Sequence, residues 1–160
     1  MPVAPEPAGP VAGCGDSVGR VASTAKIEAF LAERRNLILA GIRRDGRPQL
    51  SPNWFHWDGQ RFYVSTLRGR AKFTIFRRDP RAQLLVDDST GFRAVILPAT
   101  VEIREDLAAE LPRVRAIREK YGVAVPDEAE QLRGLTEEGR VLLAITPDGP
   151  PASWICWGLD

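Results

Sequence analysis

Residues 61–81 read RFYVSTLRGRAKFTIFRRDPR, and this stretch decides how the chain is organised. It combines a short aromatic strand, a Ser-Thr turn and a basic helix. Ser65 and Thr66 offer hydroxyls where the strand Phe62–Ser65 ends, and Arg70 and Lys72 follow at the first turn of the helix. Hydroxyls, helix-terminal amides and two cations converging in this way hold a phosphate. Phe73 and Phe76 recur at helical spacing with Ile75 beside them, Arg77 and Arg78 suit the negative end of the helix dipole, and Pro80 stops the helix. Between Thr66 and Arg81 stand six cations (Arg68, Arg70, Lys72, Arg77, Arg78, Arg81) and one anion, Asp79, in a chain of formal net charge +1. An anionic ligand and a solvated basic face both explain that surplus, and composition leaves the two open. Nucleic acid is disfavoured as a partner, because nothing outside this segment is strongly basic.

Working outward, 160 residues with 44% hydrophobic and 27% charged content suffice for one core and are too few for two comfortable domains. Cys14 and Cys156 lie at opposite ends and His56 is the single histidine, so a zinc site or a Cys-His pair has almost no material. No metal is expected. No segment approaches the roughly 20 apolar residues needed to span a bilayer, and the first residues lack a basic leader, so the expectation is a cytoplasmic protein without membrane contact. Residues 1–23, rich in Pro, Gly, Ala and Val, read as a disordered or loosely packed arm, and residues 24–160 as a single domain.

Thr24 is placed to cap a helix through Ile27, Phe30 and Leu31 to about Arg34. Residues 36–43 then read as a strand buried on both sides, 47–57 as a second and 60–66 as a third, joined by two-residue turns at Asp45-Gly46 and Asp58-Gly59. Under that register Trp57 faces Gln60, Phe55 pairs with Phe62, Trp54 with Tyr63 and Ser51 with Thr66, and His56 is a solvated residue beside Arg61. Both faces of this pair are apolar, so its outer wall needs a cover such as another subunit or a flat ligand. Pro52 makes the second strand irregular or edge-like beside Ser65 and Thr66.

After the basic helix come strands at 82–86 and 92–105, the latter with a bulge or barrel corner at Pro98. A helical pattern covers 106–121, with Pro112 as the start of a second helix, and Asp127 caps another over 128–135. Strands at 140–146 and 152–157 form a last pair, in which Trp154 and Trp157 read as core or dimer contacts. The fold class is mainly β with α (α+β), a small antiparallel barrel of about seven strands with flanking helices.

The run PQLSPNWFHWDGQRFYVSTLRGRAKFTIFRRDPRAQLLVDD, with Ala99-Thr100-Val101-Glu102-Ile103 beyond it, resembles the pyridoxamine 5′-phosphate oxidase-like flavoproteins, most closely their branch that uses the deazaflavin coenzyme F420. The words that carry the likeness are Pro48–Phe55, Phe62–Thr66, Gly69–Lys72 and Arg77–Arg81, which span most of residues 24–105. The resemblance implies a six- to seven-stranded split β-barrel and a homodimer with cofactor sites at the interface. It places the cofactor phosphate on Ser65, Thr66, Arg70 and Lys72, and the tricyclic ring against Ser51-Pro52-Asn53-Trp54. The chain departs from the family where Arg-Asn-Leu is common, having Phe73-Thr74-Ile75-Phe76, and in Phe92-Arg93-Ala94 and Leu97-Pro98-Ala99. These departures bear on the substrate pocket and the fit of the deazaflavin and leave the anion site intact.

The implied function is an oxidoreductase that passes a hydride from coenzyme F420 to a small, planar, unsaturated substrate. Such chemistry resides in the cofactor, which explains how a chain with one histidine can be an enzyme, and no residue is assigned as catalytic. Two alternatives stand beside it: FMN in place of F420, and a non-catalytic protein that stores or carries a flavin or haem on the same fold.

Overall fold

A computed structural model describes residues 22–159. The element order is α1 (Thr24–Ala32), β1 (Leu37–Ile42), β2 (Pro48–Asn53), β3 (His56–Trp57), β4 (Phe62–Leu67), α2 (Ala71–Arg78), β5 (Arg81–Asp87), β6 (Ala94–Arg104), α3 (Leu107–Lys120), α4 (Glu128–Glu137), β7 (Arg140–Pro147) and β8 (Ile155–Trp157). Of the proposed arm, residues 1–21 lie outside the described residues. Ala22 is buried in the core, and Ser23, rather than Thr24, caps α1 by accepting from Lys26 N at 3.4 Å. No helix among the described residues is long and apolar enough to cross a membrane.

Every ladder is antiparallel, and the strands run β2-β1-β5-β6-β7-β4-β3, with β8 on β6. β2 begins this path and β3 ends it, yet only Trp54 and Phe55 separate them in the chain. Three Cα steps reach at most about 11 Å. The sheet must therefore curl until its two ends stand side by side, which makes a barrel that is open between β2 and β4. The predicted split barrel is present, with eight strands among the described residues where six or seven were expected, because the second strand breaks into β2 and the two-residue β3.

That break overturns the expected register. Among the described residues β2 pairs only with β1, and β4 meets β3 as His56↔Tyr63 and Trp57↔Phe62, so neither Ser51 with Thr66 nor Phe55 with Phe62 is a ladder pair. The cause is loop size. Asp58 N donates to Arg61 O, and the Asp58 carboxylate accepts from Gln60 N and Arg61 N, so the connection takes four residues. The first turn is larger than expected as well, with Arg43 N bonded to Arg47 O and Gly46 at φ 80°.

Two apolar layers flank the curled sheet. Leu37, Leu39, Phe55, Phe62, Val64, Leu84, Val86, Leu97, Leu143 and Ile145 fill the barrel interior with Ile27, Phe30 and Leu31 of α1. Tyr63, Leu142 and Ala144, alternating outward on β4 and β7, pack beneath Leu111, Val114 and Ile117 of α3 and Leu135 of α4. The outward face of β4 and β7 is thus covered by the chain's own helices α3 and α4. β1 shows alternating rather than two-sided burial, and its Gly41 lies under Ile75 and Phe76 of α2.

Three further expectations change. Pro98 sits within an unslipped ladder to β5, at the point where the other edge of β6 passes from β8 to β7, so its missing N–H falls at a change of partner rather than at a bulge. Pro112 lies inside one continuous α3 rather than starting a new helix. The last strand is shorter than expected and pairs with β6, not β7.

Candidate functional site

The opening between the two ends of the sheet holds a cleft of about 460 Å³. Gln49 and Ser51 of β2 form one wall, and Ser65, Thr66 and Leu67 of β4 the other. Arg70, Ala71 and Lys72 at the start of α2 close one end, and Arg140 of β7 also lines it. Ser65 and Thr66 lie within β4, opposite Leu142 and Val141, rather than in a turn. The turn falls at Arg68-Gly69-Arg70, where Arg70 N donates to Leu67 O at 3.0 Å. Extended backbone at Arg70 then delivers the chain into α2.

Lys72 is held from across the opening. Its ammonium donates to the side-chain oxygen of Asn53, whose amide nitrogen donates to Ser51 O at 2.7 Å and Leu37 O at 3.4 Å. Asn53 is buried and therefore fixed, so the ammonium is aimed before any ligand arrives. Burial lowers the pKa of Lys72, and the neighbouring Arg70 lowers it further. Among the described residues, three cations (Arg70, Lys72, Arg140), three hydroxyls (Ser51, Ser65, Thr66) and no carboxylate line the cleft. That donor set fits a phosphate-type anion.

The other cations of the basic segment are engaged elsewhere. Arg68 pairs with Glu105, Arg81 with Asp79 at 2.8 Å, and Arg78 donates to Ile42 O. Arg77 lies over the Phe73 ring at 5.6 Å. None of the four lines the cleft. The surplus of charge thus divides between a cleft-lining pair, Arg70 and Lys72, and cations engaged outside the cleft.

A second cleft of about 350 Å³ adjoins the first and shares Ser65 and Arg140 with it. Pro52, Asn53 and Trp54 form its β2 side, and Val114, Ile117 and Leu135 its apolar floor, with Arg118 and Glu138 polar members of the wall. Trp54 is stacked on Tyr121, centroids 4.7 Å apart and planes 7° from parallel, and half of its surface stays exposed. Of the eight proposed cofactor-binding residues, Ser51, Ser65, Thr66, Arg70 and Lys72 line the first cleft, and Pro52, Asn53, Trp54 and again Ser65 line the second.

Sequence reasoning missed Arg140, Glu138 and Tyr121, which come from distant parts of the chain. It also misplaced His56, which is half-buried, stacks on Tyr63 at 6.4 Å, and lines a separate recess with Trp57 and Lys120. Burial lowers the pKa of His56, partly offset by Asp58. The histidine faces neither cleft.

Comparison with known proteins places the chain by family and fold. The family model described as pyridoxamine 5′-phosphate oxidase matches residues 23–149. Among solved structures, a conserved hypothetical protein of Mycobacterium tuberculosis, Rv2991, is 27% identical with a TM-score of 0.72, the match covering 86% of this chain and 85% of that one. A protein described as an F420 reductase is 23% identical with a TM-score of 0.61, over 76% of this chain and 93% of that one. HutZ, a haem storage protein of Vibrio cholerae, is 19% identical with a TM-score of 0.66, over 84% of this chain and 94% of that one.

Proposed function

The chain belongs to the pyridoxamine 5′-phosphate oxidase family, and from that premise we propose that it is an oxidoreductase using coenzyme F420 to reduce a small, planar, unsaturated substrate. The observation that carries the proposal is the convergence of Ser65, Thr66, Arg70 and Lys72 on one cleft, with a partly apolar, tryptophan-walled cleft beside it. A phosphate and a flat ring on one molecule match that pair of surfaces.

When bound, the cofactor supplies the hydride to an electron-poor double bond, and the protein provides binding, orientation and exclusion of water. Arg70 and Lys72 would neutralise the phosphate, and the hydroxyls of Ser65 and Thr66 would donate to its oxygens. The backbone and side chains of Ser51-Pro52-Asn53-Trp54 would orient the ring. Val114, Ile117 and Leu135 keep water from the floor. The proton that completes the reduction would come from solvent or from a side chain of the protein. We further propose a homodimer, supported by the exposed Leu50, Trp54, Phe92, Ile155 and Trp157, with light scattering as its test.

Fluorescence titration of F420 into the wild type and the Arg70→Ala/Lys72→Ala double variant tests the site. The double variant should bind at least about a hundredfold more weakly, two charge-assisted contacts having been removed, and unchanged affinity refutes the assignment. FMN, whose single phosphate suits the same donors, is separated by titration and by a yellow colour of the purified protein. Tight binding without turnover across enones, quinones and tetrapyrroles would point instead to a carrier.

A further inference from the structure

Arg140 stands between the two clefts and lines both. Its Nη1 donates to Ser65 Oγ at 3.4 Å, and its Nε donates to Glu138 Oε2 at 2.6 Å. Glu138 lines the second cleft and not the first. The guanidinium is thus tethered on one side by a carboxylate while its other side reaches the hydroxyl at the mouth of the anion cleft.

We infer that Arg140 is a further ligand of the anion held in the first cleft, and that Glu138 sets both its aim and the strength of its charge there. The inference rests on the reading of that cleft as an anion site. A guanidinium carries five N–H donors in a rigid fork. With Nε engaged by Glu138 and one Nη hydrogen by Ser65, donors remain for the oxygens of an entering anion. Because Ser65 Oγ accepts from Arg140, its own hydrogen is free to donate toward the ligand, so cation and hydroxyl act as a unit.

The competing view is that Glu138 and Arg140 merely tie the end of α4 to the start of β7. Their side chains are 55% and 35% exposed, and an ion pair at such positions contributes little to stability. The two views differ in what they predict for anion affinity. Under the tether view that affinity does not move. Under ours, the carboxylate restrains the cation, so removing only its charge strengthens the site.

The experiment is a titration of inorganic phosphate followed by ³¹P line width, with the full chain as wild type, Lys72→Ala, Arg140→Gln, Arg140→Lys and Glu138→Gln. Arg140→Gln should weaken phosphate about tenfold, and Arg140→Lys should recover part of the loss, since a point charge replaces the fork. Glu138→Gln should tighten binding about two- to threefold, because the amide oxygen still accepts from Nε while the negative charge is gone. Weakened binding in Lys72→Ala beside an unchanged Arg140→Gln overturns the Arg140 assignment alone. Unchanged constants in both variants remove the anion-cleft reading itself. A Glu138→Gln variant no tighter than wild type overturns the role of the carboxylate, and it decides the matter by itself should Arg140→Gln fail to fold, as checked by circular dichroism.

Discussion

Trp54 lies face to face on Tyr121, 4.7 Å between centroids, and the Tyr121 hydroxyl accepts from Phe55 N at 3.3 Å while donating to Arg35 O. One side chain at the end of α3 thereby secures both residues at which the second strand breaks. The break carries β3 to the far end of the sheet and opens the cleft, so this contact links the barrel's shape to its site.

Tyr121→Phe should keep the stack and lose the hydroxyl, leaving Phe55 N and Arg35 O without it, at a cost of about 1–3 kcal/mol in urea unfolding. Tyr121→Ala should cost more, by at least the ~0.5–1.5 kcal/mol of the aromatic pair. Equal midpoints for the two variants would show that the stack contributes nothing.

Asn53→Asp places a carboxylate against Lys72. The pKa of Lys72 should rise and the anion cleft should lose most of one positive charge, so F420 or FMN affinity should fall about tenfold or more, and further than in Asn53→Ala, which is charge-neutral. A fluorescence titration in which the two variants bind alike would count against Lys72 as an anion ligand.

Lys120, its ammonium 2.7 Å from Leu31 O and over the Phe55 ring, has its pKa brought down to about 8, chiefly by burial and then by Arg35. The unfolded chain releases this proton nearer the ordinary lysine value of about 10.4. The unfolded state therefore holds more protons between those values, and this group's contribution to stability rises as pH increases through the window. At neutral pH the cost of the buried charge is present in full. Urea midpoints of wild type minus Lys120→Met, measured from about pH 7 to about pH 9.5, should climb; a flat difference would contradict the shift.

Gly41→Ala would bring a Cβ within 2.8 Å of Ile75 Cγ2 and 2.9 Å of Phe76 Cζ, both on buried side chains of α2. Overpacking of this kind costs about 1–3 kcal/mol. Because α2 carries Lys72 at its other end, cofactor affinity should fall together with the thermal midpoint. A stable variant with intact affinity would mean that α2 repacks freely.

Much of this was legible along the chain. Phe73, Ile75 and Phe76 mark α2, Asp127 caps α4 by accepting from Glu130 N, and Ser65, Thr66, Arg70 and Lys72 are close enough in sequence that one strand and one helix turn bring them together. The register between Ser51 and Thr66 was not legible, because Asp58-Gly59 resembles a two-residue turn and the four-residue loop depends on how the Asp58 carboxylate is used.

Short-range forces leave their mark along the chain, so the stop of α2 before Pro80, the cap of α4 at Asp127 and a hydroxyl pair followed closely by two cations could all be read from it. The tertiary structure alone decided which strands are neighbours, and with them Arg140 beside Ser65, Glu138 beside Arg140 and Tyr121 beneath Trp54. A strand's edge accepts any partner with free N–H and C=O groups, and the choice among them falls to the closing of the whole sheet around one core.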